Sequence, residues 1–187
     1  KNEIFNFKTS LKINDNPLKI DSLNFIKKRA FIKLEGLRNE KKEINIKSFS
    51  VNEKTDEIKV NDLTFNKKFE IIKLGGFFLD YIDKENQKNK IKLNNIENKY
   101  ILSGSSFNAN NLVNDLLFED KNSNFFNIDA KIDIDIYKIF LDNEYNLSNL
   151  KGDIFFKNKE ITKANLYGKF SEGKKLKFTI NTNGSNK

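Results

Sequence analysis

Ala130-Lys131-Ile132-Asp133-Ile134-Asp135-Ile136 decides the fold. Apolar and charged residues alternate strictly, and only a strand with one buried and one wet face has that period. Three further stretches repeat the pattern. Gly152, Ile154 and Phe156 alternate with Asp153, Phe155 and Lys157. Leu166, Gly168 and Phe170 follow, and then Leu176, Phe178 and Ile180 alternate with Lys175, Lys177 and Thr179. The connections Asn158-Lys159-Glu160 and Ser171-Glu172-Gly173-Lys174 are short and turn-like. Four strands joined so closely form an antiparallel meander over 128–183 with one apolar face.

Upstream, residues 1–107 carry β-branched or aromatic stretches at Ala30–Leu37, Ile44–Val51, Ile58–Phe65, Phe69–Phe78, Ile91–Leu93 and Tyr100–Phe107. Their spacing fits successive strands of one continuing sheet. Pro17 precedes the first of them, where a missing N–H does least harm. Gly75-Gly76-Phe77-Phe78 suggests a bend, and Ser103-Gly104-Ser105-Ser106 a bulge or a site of close packing. One segment departs from the pattern: Ala109, Leu112, Val113, Leu116 and Leu117 share a helical face. A short amphipathic helix is expected over 109–118 (108–119 with its flanks), with Asn108 as its N-cap. The expected fold is all-β: an elongated, curled antiparallel sheet, with that helix packed on it or closing its end.

The 187 residues suffice for one β-rich unit with a sizeable core. No apolar run approaches the roughly 18–20 residues that cross a bilayer. No initiator Met or signal region opens the chain, so it is expected to be an internal segment of a larger protein, 1–187 forming one unit. Cys, His, Met and Trp are absent, whereas Phe occurs 18 times. Without Cys or His the usual zinc, copper, haem and iron–sulfur ligand sets are impossible, leaving only oxygen ligands for calcium or magnesium. No disulfide framework exists and the redox compartment is unreadable. The net charge of +8 fits an acidic partner, or the Lys, Ile and Asn bias of an AT-rich genome.

Motifs that carry chemistry are weak. Gly168-Lys169-Phe170-Ser171-Glu172-Gly173-Lys174-Lys175 resembles a phosphate-binding loop but ends in Lys where the magnesium ligand needs a hydroxyl. A strand pattern follows it, not the helix that motif requires. Asp133 and Asp135, with Asp129 at the same parity, project from one strand face about 7 Å apart. Paired carboxylates can do acid–base work on glycosides or bind calcium, but these alternate with isoleucines beside Lys131 and read as a wet face. Nucleophilic triads fail for lack of histidine, and the sequon Asn146-Leu147-Ser148 is unremarkable in an Asn-rich chain. Single-strand nucleic-acid binding would interleave basic and aromatic residues on a sheet, but here acids are mixed throughout. No catalytic, cofactor-binding or metal site is assigned, and no enzyme activity is expected.

Ile139-Phe140-Leu141-Asp142-Asn143-Glu144-Tyr145-Asn146-Leu147-Ser148-Asn149-Leu150-Lys151-Gly152-Asp153-Ile154 reads as apolar strand, polar turn, Leu-x-x-Leu, strand. Ile161–Phe170 and Leu176–Ile180 follow it. This resembles the repeated strand unit of AsmA-like proteins, especially the large YhdP-type members with a DUF3971-like region. It covers about a quarter of the chain and consists of hydrophobic spacings. The resemblance implies a periplasmic segment of an inner-membrane-anchored envelope protein of diderm bacteria. Its sheet would curl into an apolar groove carrying phospholipid toward the outer membrane. The partners implied are phospholipid acyl chains and the rest of the parent chain, with membrane contact through the parent protein only and no nucleic acid.

The candidate lipid-facing residues are Ile132, Ile134, Ile136, Ile154, Phe156, Leu166, Phe170, Leu176, Phe178 and Ile180. The same residues would equally serve an ordinary core. The first alternative is therefore a structural or adhesive β-rich surface module, marked by a closed core. The second is a nucleic-acid-binding domain, marked by a concentrated basic face, and a glycan-acting enzyme ranks last.

Overall fold

The computed structural model describes residues 4–97, 99–111, 128–142, 144–157 and 160–182. The strands in chain order are β1 (Phe5–Ile13), β2 (Leu18–Ile20), β3 (Phe25–Lys27), β4 (Ala30–Arg38) and β5 (Ile44–Glu53). Then come β6 (Asp56–Phe65), β7 (Ile71–Lys73), β8 (Gly76–Ile82), β9 (Lys88–Ile96) and β10 (Lys99–Asn108). The last four are β11 (Ala130–Phe140), β12 (Asn146–Lys157), β13 (Glu160–Phe170) and β14 (Lys175–Asn181). Twelve of these make one sheet in the order β1-β4-β5-β6-β8-β9-β10-β11-β12-β13-β14, with the short β7 also paired to β6. The sheet is curled and does not close. At about 4.8 Å per strand it measures roughly 50 Å across.

The expected meander is present: β11 through β14 pair antiparallel, each with its neighbour in sequence. Three features differ from the sequence reading. β1 lies outside the predicted strands, yet it pairs along its whole length with β4, from Phe5 opposite Arg38 to Ile13 opposite Ala30. The stretch Phe69–Phe78 is two strands. Phe69 sits in a turn at φ +60°, and Gly75 breaks the run by donating its N–H to the carbonyls of Asn61 and Asp62 at 3.2 and 3.0 Å. Most consequentially, β10 and β11 run parallel. A parallel neighbour requires the chain to travel back along the sheet, which a two-residue turn cannot do. The segment between Asn108 and Ala130 is that return. Its described start, Asn110 and Asn111, is helical, and the Asn108 side-chain oxygen accepts from the Asn110 N–H at 3.1 Å, as an N-cap does. Positions 112–118 of the predicted helix lie outside the described residues.

One face of the sheet carries the core. Val51, Ile58, Leu79, Tyr81, Ile91, Phe107, Ile136, Ile139, Leu147 and Leu150 are buried in a single cluster running from β5 to β12. The hairpin of β2 and β3, joined by a 3-10 turn at Asp21–Leu23, packs its Leu18, Ile20, Leu23 and Phe25 onto that cluster. Phe25 meets Tyr81 edge-on with ring centroids 5.1 Å apart. The Tyr81 hydroxyl, on a wholly buried side chain, donates to the Leu23 carbonyl at 2.7 Å. Lys27 on β3 also pairs with Asp56 at the start of β6. The hairpin is thus a cap over one end of the apolar face.

Candidate apolar binding face

Strand register turns separate alternations into continuous rows. Leu34, Phe49, Val60, Phe77, Leu93, Leu102, Ile134, Gly152, Leu166 and Phe178 are successive cross-strand partners from β4 to β14. Every side chain in this row is apolar, and Gly152 leaves a notch. A second row lies toward the capped end: Leu11, Ile32, Val51, Ile58, Leu79, Ile91, Gly104, Ile136 and Leu150. Tyr100, Ile132, Ile154, Ala164 and Ile180 make a third row on the C-terminal half. Cross-strand neighbours this close merge into one surface.

Each of the ten sequence-predicted residues sits on this face, but at different depths. Ile136 is part of the buried cluster at 2% exposure. Ile134, Leu166, Phe170 and Leu176 are half-buried and pack against that cluster. Ile132, Ile154, Phe156, Phe178 and Ile180 lie outside it. Phe178, on the edge strand, is 45% exposed. The face therefore grades from closed core under the cap, through half-buried side chains on β11–β13, to an accessible edge at Phe178 on β14. Compared with family models, curated proteins and solved structures, the chain matches none.

The side-chain phase switches along one line, which an even-numbered rule misses. Ile136 and Ile139 are both buried while Tyr137 between them is 64% exposed. Leu147 and Leu150 are likewise both buried, with Asn149 turned into left-handed conformation at φ +53°. β10 breaks register between Gly104 and Ser106, and β12 between Ser148 and Lys151. A row of bulges thus crosses these strands, and beyond it Phe107, Ile139 and Leu147 take over the inner face. Gly104 is required at this line: a Cβ there would lie 2.3 Å from the Lys90 carbonyl oxygen.

Past the bulges the face ends in a polar plug that the sequence did not signal. The buried Asn108 amide donates to Asp83 and Glu85, each at 2.8 Å, and the buried Asn89 amide donates to Asp83 at 3.1 Å. Asp83 also accepts the backbone N–H groups of Glu85 and Gln87 at 2.8 and 2.9 Å. These groups satisfy one another, which is the condition for burying them. Burial, with the nearby Asp83 charge adding to it, holds the Tyr81 phenol well above its ordinary pKa.

The outer face is wet and ion-paired, as expected of the alternating charges. Asp133 pairs with Lys99 and Lys131, Asp135 with Lys151 at 3.0 Å, and Asp80 with Lys88 and Lys90. The hydrogen bond from Lys99 is the main reason the Asp133 carboxyl titrates below its ordinary range; burial opposes it and Lys131 adds to it. At Asp80 burial raises the pKa, but Lys88 and Lys90 together outweigh it and the net shift is downward. Asp133 and Asp135 thus serve as partners for lysines on an open face. The loop-like sequence Gly168–Lys175 is the end of β13 and its turn into β14, with Gly173 at φ +82°. An open depression of about 550 Å³ lies elsewhere, between Lys12, Asp15, Arg29, Phe31 and Glu53. Among the described residues no helix is long and apolar enough to cross a membrane.

Proposed function

We propose that this chain is a non-enzymatic segment of an AsmA-like envelope protein whose inner sheet face accommodates phospholipid acyl chains. The observation that carries the reading is the unbroken apolar row from Leu34 to Phe178, accessible at its β14 end. Exposing an acyl chain to water costs about 0.8 kcal/mol per CH₂, so a 16-carbon chain meets a cost on the order of 12 kcal/mol. A strip of apolar side chains roughly 43 Å across removes much of that cost without any reaction. Ile132, Ile134, Ile154, Phe156, Leu166, Phe178 and Ile180 are the residues assigned to lipid contact. Ile136, Phe170 and Leu176 are assigned to holding the face in shape.

Native mass spectrometry of the chain purified from a bacterial envelope, with lipid extraction of the same sample, tests this. Phospholipid should copurify, and Ile134→Asp with Phe178→Asp should remove it while the circular dichroism of the sheet is kept. A lipid-free, stable wild-type protein would sink the proposal. It would favour the second reading, a structural β module, for which the buried cap of Phe25 on Tyr81 is the supporting observation.

A further inference from the structure

Outward lysines crowd the C-terminal edge of the sheet. On β13 the outward side chains are Glu160 at its start and then Lys163, Asn165, Tyr167 and Lys169; the last four face Asn181, Thr179, Lys177 and Lys175 on β14. Lys169 stands directly opposite Lys175, a like-charge pair that ordinarily destabilises a sheet. Lys169, Lys175 and Lys177 are all exposed and make no ion pair among the described residues, in contrast to Lys88, Lys90 and Lys99. The outward acid of adjacent β12 is Asp153, opposite Asn165. Lys151 is tied to Asp135, and Glu172 in the turn to Lys174. Lys163 lies over the Phe155 ring at 5.6 Å. Tyr167 projects from the middle of the lysines, opposite Lys177, and is 50% exposed.

We propose that the outer face of β13–β14 docks on an anionic bilayer surface, with Lys169, Lys175 and Lys177 on headgroup phosphates and Tyr167 at the interface. Clustered lysines are drawn to anionic lipid, and a tyrosine ring with an apolar body and a polar tip suits the headgroup layer. The same edge strand turns Phe178 to the opposite face, so docking brings the open end of the apolar row next to lipid. Docking uses the outer face and stands whether or not the inner face carries an acyl chain.

Because the chain has no tryptophan, Tyr167→Trp provides a single reporter. The full chain with this change is titrated with phosphatidylcholine vesicles, with and without about a third phosphatidylglycerol. Anionic vesicles should bind it, shift its emission to the blue and release it at high salt. Each lysine near such a surface contributes about fivefold, so Lys169→Gln, Lys175→Gln and Lys177→Gln together should weaken binding on the order of a hundredfold. The triple change Lys88→Gln, Lys90→Gln and Lys99→Gln alters net charge equally and should weaken it only slightly. Equal losses from the two triples, or no preference for anionic vesicles, would overturn the proposal. So would tighter binding to a single-stranded oligonucleotide that the first triple abolishes, which would assign the patch to nucleic acid. A failure of lipid copurification leaves this readout untouched, so the two proposals fail separately.

Discussion

At Gly152 the backbone takes φ +144°, and a Cβ would lie 1.8 Å from the Asn165 carbonyl oxygen. Backbone on backbone cannot be relieved by rotating a side chain, so the position is closed to every other residue. Gly152→Ala is expected to lower unfolding stability by about 2 kcal/mol or more in urea denaturation. Gly173, at φ +82° with open space around it, should lose only about 1 kcal/mol on the same change. Asp133 gives a prediction in pH. Its folded-state pKa lies below the ordinary 3.8, so its contribution to stability is present above that value. It is lost as pH falls through the lower, folded-state pKa. Asp133→Asn should therefore lower stability modestly at neutral pH, with the difference from the unchanged chain vanishing as pH falls below about 4, so that the acid end of the profile flattens. An equally steep acid limb in the variant would assign the acid sensitivity elsewhere, with Asp80 next in line.

Among the elements, the β2–β3 cap separates core from open face. It is short, and its hold depends on Phe25, buried against Tyr81, and on the Tyr81 hydroxyl bonded to Leu23. Phe25→Ala removes the ring and leaves a cavity over Tyr81, which should cost about 3–5 kcal/mol. Backbone amides of Leu18–Lys27 should then exchange with solvent faster than those of β11–β13. Uniform acceleration across the sheet would mean that cap and sheet unfold as one unit. The strands themselves were legible wherever apolar and charged residues alternate cleanly, as in β11 and β14. β1 was not, because Thr9 interrupts the apolar set Phe5, Phe7, Leu11 and Ile13 and its outward residues are ordinary polar ones. Nor was the split of Phe69–Phe78, since Gly75 acts through a hydrogen bond to β6, which lies elsewhere in the sequence.

For the molecule as a whole, the proposed lipid reading rests on how much of the apolar face is left uncovered. Among the described residues the edge strands β1 and β14 each pair on one side only, which leaves the sheet two open ends. Leu11 and Phe178, at those ends, are 56% and 45% exposed. Outward lysines on the edges, Lys8 and Lys12 on β1 and Lys175 and Lys177 on β14, oppose indiscriminate strand addition. The lipid reading and the docking reading then use the two faces of one edge, apolar inward and basic outward.

The sequence by itself determined the β class, the meander of β11–β14, and which ten side chains turn to the apolar face. Period-two alternation is a local property, and a strand must bury its apolar side whatever its neighbours are. It did not determine the direction of β11 against β10, the phase switch that brings Ile139 and Leu147 inward, or the Asp83–Asn89–Asn108 plug. Those depend on register between strands far apart in the chain, and one bulged residue reverses which side of a strand is inside. Only the tertiary structure decided that Ile136 is core while Phe178 is surface, because depth on a shared face is set by what packs over it.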